Sequence, residues 1–469
     1  MKALLAALLS LLLTPAAAGQ TKPAVSVCGE CIRKNMEVLA SDEMRGRGSG
    51  TEDEHRAAEY IAGQLKAYGI QPAGDGAGFI QQVVTVRRTM TGKPVLKVPP
   101  TGAASAGPKI FTYGKDFLSL YLTVTQFSGP LQKVDSDKPE EHFQAGAVAL
   151  ITGSDEAKAR NAAYAAFSSG AIAALLPSTA GDDHFVHGGD NLPKLPPRLE
   201  GSGGPELGGN FAMLELSPAA LELLRAVSDG TPVQFAAEVS EEKAHTWNVV
   251  GSLRGSDPAL QHAAVLFSAH LDHLGIGRPV KGDSIYNGAD DDASGTAAVL
   301  EIARALGARS EPKRTVIFAL FGSEETGGLG ATYFREHPPM PLQDMAANLE
   351  FEMIGRPDPA VKADTVWLSG WERSNLGPTL AEHGAHLIGD PHPEQDFFAR
   401  SDNYVLAKKG VVAQTISSYG LHKDYHRPSD DLSHIDFQHM TEAIGSLLAP
   451  VAWLVNSDFK PQWNKGGQP

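Results

Sequence analysis

The sequence predicts an α/β protein with a mostly parallel central sheet flanked by helices, plus a smaller β-rich insert. Three observations carry this expectation. From Trp247 onward, short apolar runs alternate with amphipathic stretches, the rhythm of a parallel sheet covered on both faces. Between about Lys97 and Lys243 the chain instead becomes rich in Gly, Pro, Ala and Ser, with short apolar strands. At 469 residues it is also too long for one ordinary core. A hydrophobic fraction of 42% beside 20% charged residues excludes a disordered or fibrous chain.

Taken in order, residues 1–18 read as a secretory signal. Lys2 precedes an apolar run over 3–13 broken only by Ser10, and Pro15 and Ala16-Ala17-Ala18 supply the small residues of a cleavage site. The run is shorter than the roughly 20 residues a membrane span needs. The mature chain is therefore expected to be exported, periplasmic or secreted, without membrane insertion. Cys28 and Cys31 are the two cysteines of the chain, and in an exported protein they read as a small disulfide pinning the first helix. Ile32, Met36 and Leu39 recur at helical spacing, Arg45-Gly46-Arg47-Gly48 forms a turn, and an amphipathic helix runs from about 54 to 68.

Strand-like runs follow at 79–86 and 117–124, then at 147–151, with a short helix over 161–170 feeding a strand at 171–176. In this region Asp182-Asp183-His184 and His187 are the main ligand-competent cluster, and exposed-loop polarity accounts for them about as well as metal binding does. Buried strands are predicted at 249–253, 264–268, 315–321, 348–353, 365–368 and 411–415, with a helix over 294–306. The chain divides accordingly into 19–96, an insert at 97–243, and 244–469. Its formal charge of −15 repels phosphate backbones, and no local basic patch offsets this, which argues against a nucleic-acid partner.

The chemistry-bearing residues gather at predicted strand ends, where α/β sheets place their active groups. They are Ser268-Ala269-His270-Leu271-Asp272-His273, then Asn287-Gly288-Ala289-Asp290-Asp291-Asp292-Ala293-Ser294-Gly295, then Phe321-Gly322-Ser323-Glu324-Glu325-Thr326-Gly327, then Glu350-Phe351-Glu352, and His426. A helix cap needs one Asp, not three adjacent ones that repel. His270 and Asp272 share a face on an extended chain, as a ligand and its orienting carboxylate would. Mixed imidazole and carboxylate donors without cysteine suit zinc, and manganese or cobalt also fit. A pair of metals needs a shared ligand, a role an Asp held in a Gly-rich loop can fill.

These segments resemble the co-catalytic zinc aminopeptidases, the group that includes bacterial secreted leucyl aminopeptidases and the glutamate carboxypeptidase relatives. The resemblance begins at Leu39-Ala40-Ser41-Asp42-Glu43-Met44-Arg45-Gly46-Arg47 and continues through the Asp-rich loop and Met353-Ile354-Gly355-Arg356 to Asp424-Tyr425-His426. The insert, notably 162–176, looks like that group's protease-associated domain.

The resemblance implies a zinc exopeptidase-like fold and two zinc ions. Asp291 would bridge them, His270 and Glu352 would complete one site, and Glu325 and His426 the other. Glu324 would be the general base and Asp272 would orient His270. The family usually has Asp where this chain has Glu352. A cis peptide between Asp291 and Asp292 is also implied, and the expected substrates are peptides with a free amino terminus. Tyr425 or Tyr419 could stabilise an oxyanion, and Ser401-Asp402 could touch substrate. Glutaminyl cyclisation or removal of a C-terminal acidic residue are alternative uses of such a scaffold, the latter calling for Arg356, Arg400 or Lys423 near the pocket. A catalytically inactive binding protein is the alternative outside the enzymes.

Overall fold

A computed structural model describes residues 26–100, 107–138, 142–153, 155–202, 209–309 and 311–469. The expected signal at 1–18 lies outside the described residues. Four neighbouring strands, Val412–Ser417, Met345–Phe351, Ala264–His270 and Val316–Phe321, run parallel through the middle of a ten-stranded sheet. Their near-continuous apolar sequences are explained by burial on both faces. Along Ala264–His270, for example, Val265, Phe267 and Ala269 enter one core while Ala264 and Leu266 enter another. The helices Gly29–Leu39, Glu52–Ala67, Gly295–Gly307 and Phe437–Leu454 fill the first core through residues such as Ile32, Ile61, Val299 and Ile444. The helices Leu329–Glu336 and Asn403–Ala407 close the second through Phe334 and Val405.

The sheet is parallel at its centre, and on each side the next strand pairs antiparallel. Ile80–Met90 leads out of it and Val239–Leu253 returns, so the two legs of one excursion pair antiparallel. The returning strand also pairs antiparallel with Val316–Phe321. Between the legs, eight strands from Val95–Val98 to Pro232–Ala236 form a separate sheet over Leu96, Phe111, Leu150, Leu175 and Phe235. Its helix Glu156–Ser168 starts five residues before the expected 161, because the Asp155 side chain accepts from the amides of Ala157 and Lys158. Cys28 and Cys31 form a disulfide in the first turn of Gly29–Leu39, and the Cys28 amide donates to Glu301 at 2.7 Å. Among the described residues, no helix is long and apolar enough to cross a membrane.

The amino-terminal motif has a physical explanation. Arg47 is 1% exposed, and its guanidinium donates to the carbonyls of Leu39, Leu271, Asn287 and Gly288 at 2.6–3.0 Å. It thus ties the first helix to the His270 strand end and to the Asp-rich loop. Arg47→Met would strand four buried carbonyls. The expected loss of stability is more than about 3 kcal/mol in a denaturant melt; a loss below about 1 kcal/mol would contradict this account.

Candidate metal centre

Three parallel strands finish at one edge of the sheet and carry the site there. Ala264–His270 ends in His270, Val316–Phe321 runs into Glu324 and Glu325, and Met345–Phe351 runs into Glu352. The Asp-rich loop enters from the side. Its three carboxylates do different work. Asp290 accepts from the Gly355 amide at 2.7 Å and meets His422 Nε2 at 2.9 Å. Asp292 accepts from the amides of Gly295 and Met353, both at 3.0 Å, and from that of His270 at 3.3 Å. These two hold backbone in place and leave Asp291 facing the imidazoles.

Gly288 makes the turn at φ 59°, where an added Cβ would lie 2.2 Å from the Asp291 carbonyl oxygen and 2.5 Å from the His273 ring. No side chain fits there. Asp430 receives the amides of Asp290 and Asp291 at about 3.0 Å, and the Asp291–Asp292 peptide is cis.

Asp291 presents one oxygen to each of two donor sets. Its Oδ1 is 3.1 Å from His270 Nε2, and Glu352 joins these two in the first set. Its Oδ2 is 3.3 Å from His426 Nε2 and 3.8 Å from His273 Nδ1. Glu325 faces the same two rings, with Oε1 2.7 Å from His273 Nδ1 and Oε2 3.1 Å from His426 Nε2.

The second set therefore contains His273, to which the sequence reading gave no role. It is fully buried, whereas the His426 side chain is 36% exposed. The signal was present in the sequence: His273 lies three residues after His270, directly beyond a strand end. Asp272 Oδ1 lies 3.6 Å from His270 Nδ1 and accepts from the Glu324 amide at 3.0 Å, while Oδ2 accepts from Ser49 Oγ. It braces both segments.

Burial disfavours every charge here, and the neighbours decide which side prevails. For Glu325, burial and Asp291 push the carboxyl up, but His273 and His426 outweigh them and hold it at about 2. For His426, burial pulls the ring down, yet Asp291 and Glu325 bring it up to about 10. Burial, opposed by His270 and reinforced by Asp402, Glu352 and Glu325, raises the Glu324 carboxyl well above the usual range. Burial likewise raises Glu352. Burial thus makes ionising several carboxyls in one place costly, a cost that a bound cation would relieve.

The donor sets fit metal ions. Both ring nitrogens of His270 and of His273, and Oε1 of Glu325, are buried, and the close approaches among these groups, such as Glu325 Oε1 to His273 Nδ1 at 2.7 Å, lack the alignment of hydrogen bonds. Polar atoms so placed are costly unless something receives their lone pairs. Among the described residues, the triads of convergent His and carboxylate donors both contain Asp291. The Asp182-Asp183-His184 cluster is otherwise engaged: it lies on the short helix Asp182–Gly188, with His184 3.0 Å from Glu215 and His187 3.7 Å from Asp190.

A pocket of about 50 Å³ opens on these groups. Asp291, Glu324, Glu325, Glu352 and His426 line one side; Met353, Trp367, Phe397, Tyr419 and Tyr425 form an aromatic-rich wall. Trp367 stacks on Phe397 at 5.2 Å, and Tyr425 on His426 at 3.8 Å. Of the basic residues considered from sequence, Arg400 lines this pocket. Arg356 instead pairs with Asp424 at 3.0 Å, and Lys423 lines a different depression. Ser401 and Asp402 are buried and are not among the residues that line this pocket.

Residues 248–451 match the profile of Peptidase family M28. An aminopeptidase of Pseudomonas aeruginosa is 34% identical over 127 residues, covering 27% of this chain and 21% of that protein. The chain spans less than two thirds of the length of the curated relatives it matches. Among solved structures, the aminopeptidase from Aneurinibacillus sp. strain AM-1 superimposes with a TM-score of 0.53 at 18% identity, over 92% of this chain and 95% of that one. BSAP, a zinc aminopeptidase from Bacillus subtilis, gives 0.51 at 18% identity, over 94% and 98%. These two likenesses are of fold. The matched segment, residues 248–451, holds the sheet edge and the donor residues described above, and it is this part of the chain that is similar to Peptidase family M28.

Proposed function

We propose that the protein is an exported aminopeptidase that uses two zinc ions to hydrolyse the first peptide bond of substrates with a free amino terminus. The observation that carries this reading is Asp291, whose two oxygens face separate donor sets, His270 with Glu352 and His273 with Glu325 and His426. Zinc held there would polarise the scissile carbonyl and acidify the attacking water. Glu324, beside both sets but a member of neither triad, takes the water's proton and passes it to the leaving amine. Asp272 keeps His270 and the Glu324 backbone in register.

His273 enters the second set as a further nitrogen donor, and Glu352, one methylene longer than aspartate, still reaches Asp291 and His270. The aromatic wall of Trp367, Phe397 and Tyr419 receives an apolar first side chain. The segments 19–96 and 244–469 make up the catalytic unit in this reading, and 97–243 the insert beside its mouth. A peptide incubated with the zinc-loaded protein is expected to lose its first residue, a chelator to stop this, and added zinc to restore it. Release that persists in chelator would contradict the proposal.

A further inference from the structure

A buried carboxylate that the mechanism does not use holds the aromatic wall of the metal pocket. Asp358 is 2% exposed and is not among the residues that line the pocket. Its Oδ1 accepts from the Ala360 amide at 2.8 Å. Its Oδ2 accepts from Trp367 Nε1 at 3.2 Å and meets His392 Nε2 at 2.8 Å. An ionised carboxylate only accepts, so His392 carries a proton on Nε2 in this contact. The two rings come from neighbouring strands at one end of the ten-stranded sheet. Trp367 lies in Val366–Leu368, and His392 follows shortly after Leu387–Gly389, which pairs with it. Beyond His392 the same segment reaches Phe397. That ring stacks on Trp367 at 5.2 Å, meets His392 edge-on at 6.3 Å and packs against Tyr419 at 5.9 Å. One carboxylate oxygen thus ties the strand that carries Trp367 to the segment that carries Phe397.

We infer that Asp358 is a positioning residue for substrate choice: it sets the aromatic wall against the first side chain and so favours large apolar first residues over small ones. The inference rests on the aminopeptidase reading. An apolar pocket selects by the area it buries, and a wall already in place costs the substrate no ordering. Ring contacts are weakly directional, so stacking alone leaves Trp367 free to tilt; the bond from its N–H fixes the indole. His392 fixes the opposite side of the stack through the same oxygen. The catalytic side of the pocket is held independently, Glu324 by Asp272 and the Asp-rich loop by Asp430. Loosening the wall therefore leaves the reacting groups in place. Alanine offers the wall a single methyl and leucine a branched side chain, so leucine loses most. Asparagine at 358 has one acceptor oxygen where aspartate has two, so it serves either the Ala360 amide or the two rings and turns an N–H donor toward the other.

The test compares the full zinc-loaded protein with Asp358→Asn and His392→Ala on leucine and alanine 4-nitroanilides, with zinc content measured on each. Asp358→Asn is expected to raise KM for the leucine substrate about tenfold, with kcat and zinc content unchanged. On the alanine substrate both constants should stay within about twofold, so the preference for leucine collapses. His392→Ala leaves the Trp367 bond intact and should move the preference the same way, severalfold; it decides the matter if Asp358→Asn does not fold. The double variant should fall no further than Asp358→Asn alone, because both changes empty the same oxygen. A leucine-to-alanine preference unmoved in the variants, or an equal fall in kcat on both substrates, would overturn the positioning role while leaving the aminopeptidase reading intact. Failure of the unaltered protein to cleave either substrate would overturn that reading and this inference with it.

Discussion

Glu324→Gln is expected to lower kcat on leucine 4-nitroanilide by about 10²–10⁴-fold while zinc content stays at the level of the unaltered protein. The two readouts separate because of where Glu324 sits. Its amide is fixed by Asp272 Oδ1 at 3.0 Å, and Ser323 before it donates to the buried Glu54 at 2.8 Å, so the loop is held by backbone bonds. The Glu324 side chain belongs to neither convergent donor triad. Glutamine keeps its shape and removes its charge and its ability to carry a proton. Burial raises this carboxyl well above the ordinary range, and neighbouring dications would bring it back toward the working pH, where a group that must both take and return a proton is most effective. Turnover and zinc content on the purified variant check this. A fall of less than tenfold, or loss of zinc together with activity, would contradict the role.

Asp291→Asn is expected to weaken both metal sites together, by at least about 100-fold in affinity, and to abolish turnover. Asp291 is the residue common to both donor triads. Asparagine offers one weak acceptor oxygen and no charge, so it cannot face two cations. The same change at Asp290 or Asp292 would instead loosen backbone, since those carboxylates bind the amides of Gly355, Gly295 and Met353. Chelator competition followed by elemental analysis decides the point. Retention of one ion at the original affinity would show that the two sites do not share Asp291.

The centre of the fold was legible because buried parallel strands are written as unbroken apolar runs, as in Ala264–His270 and Val316–Phe321. The antiparallel flank was legible only in part. Of Val239–Leu253 the sequence marked 249–253 as a strand, and the first half, exposed and polar, carries no apolar run. The three adjacent aspartates were legible as too many for a cap, but their division of labour depends on amides brought in from Gly355 and Met353, more than 60 residues away.

His273 and Arg47 show the same limit. His273 stands in a quoted motif, yet its place opposite Glu325 follows from the turn at Gly288 and the packing of a second strand end. Arg47 reads locally as a charged turn residue; its four carbonyl partners come from three separate segments. The His426 ring reaches Asp291 from a loop with no periodic signal, and the family resemblance was what gave it a place in a metal site.

The central claim is that the centre acts on the free amino end of a peptide. One peptide, supplied free and N-acetylated to the zinc-loaded protein with and without chelator, tests it most directly. The account predicts stepwise loss of residues from the amino end of the free form only, abolished by chelator. Equal cleavage of both forms would contradict it and assign the centre to internal or carboxyl-terminal bonds.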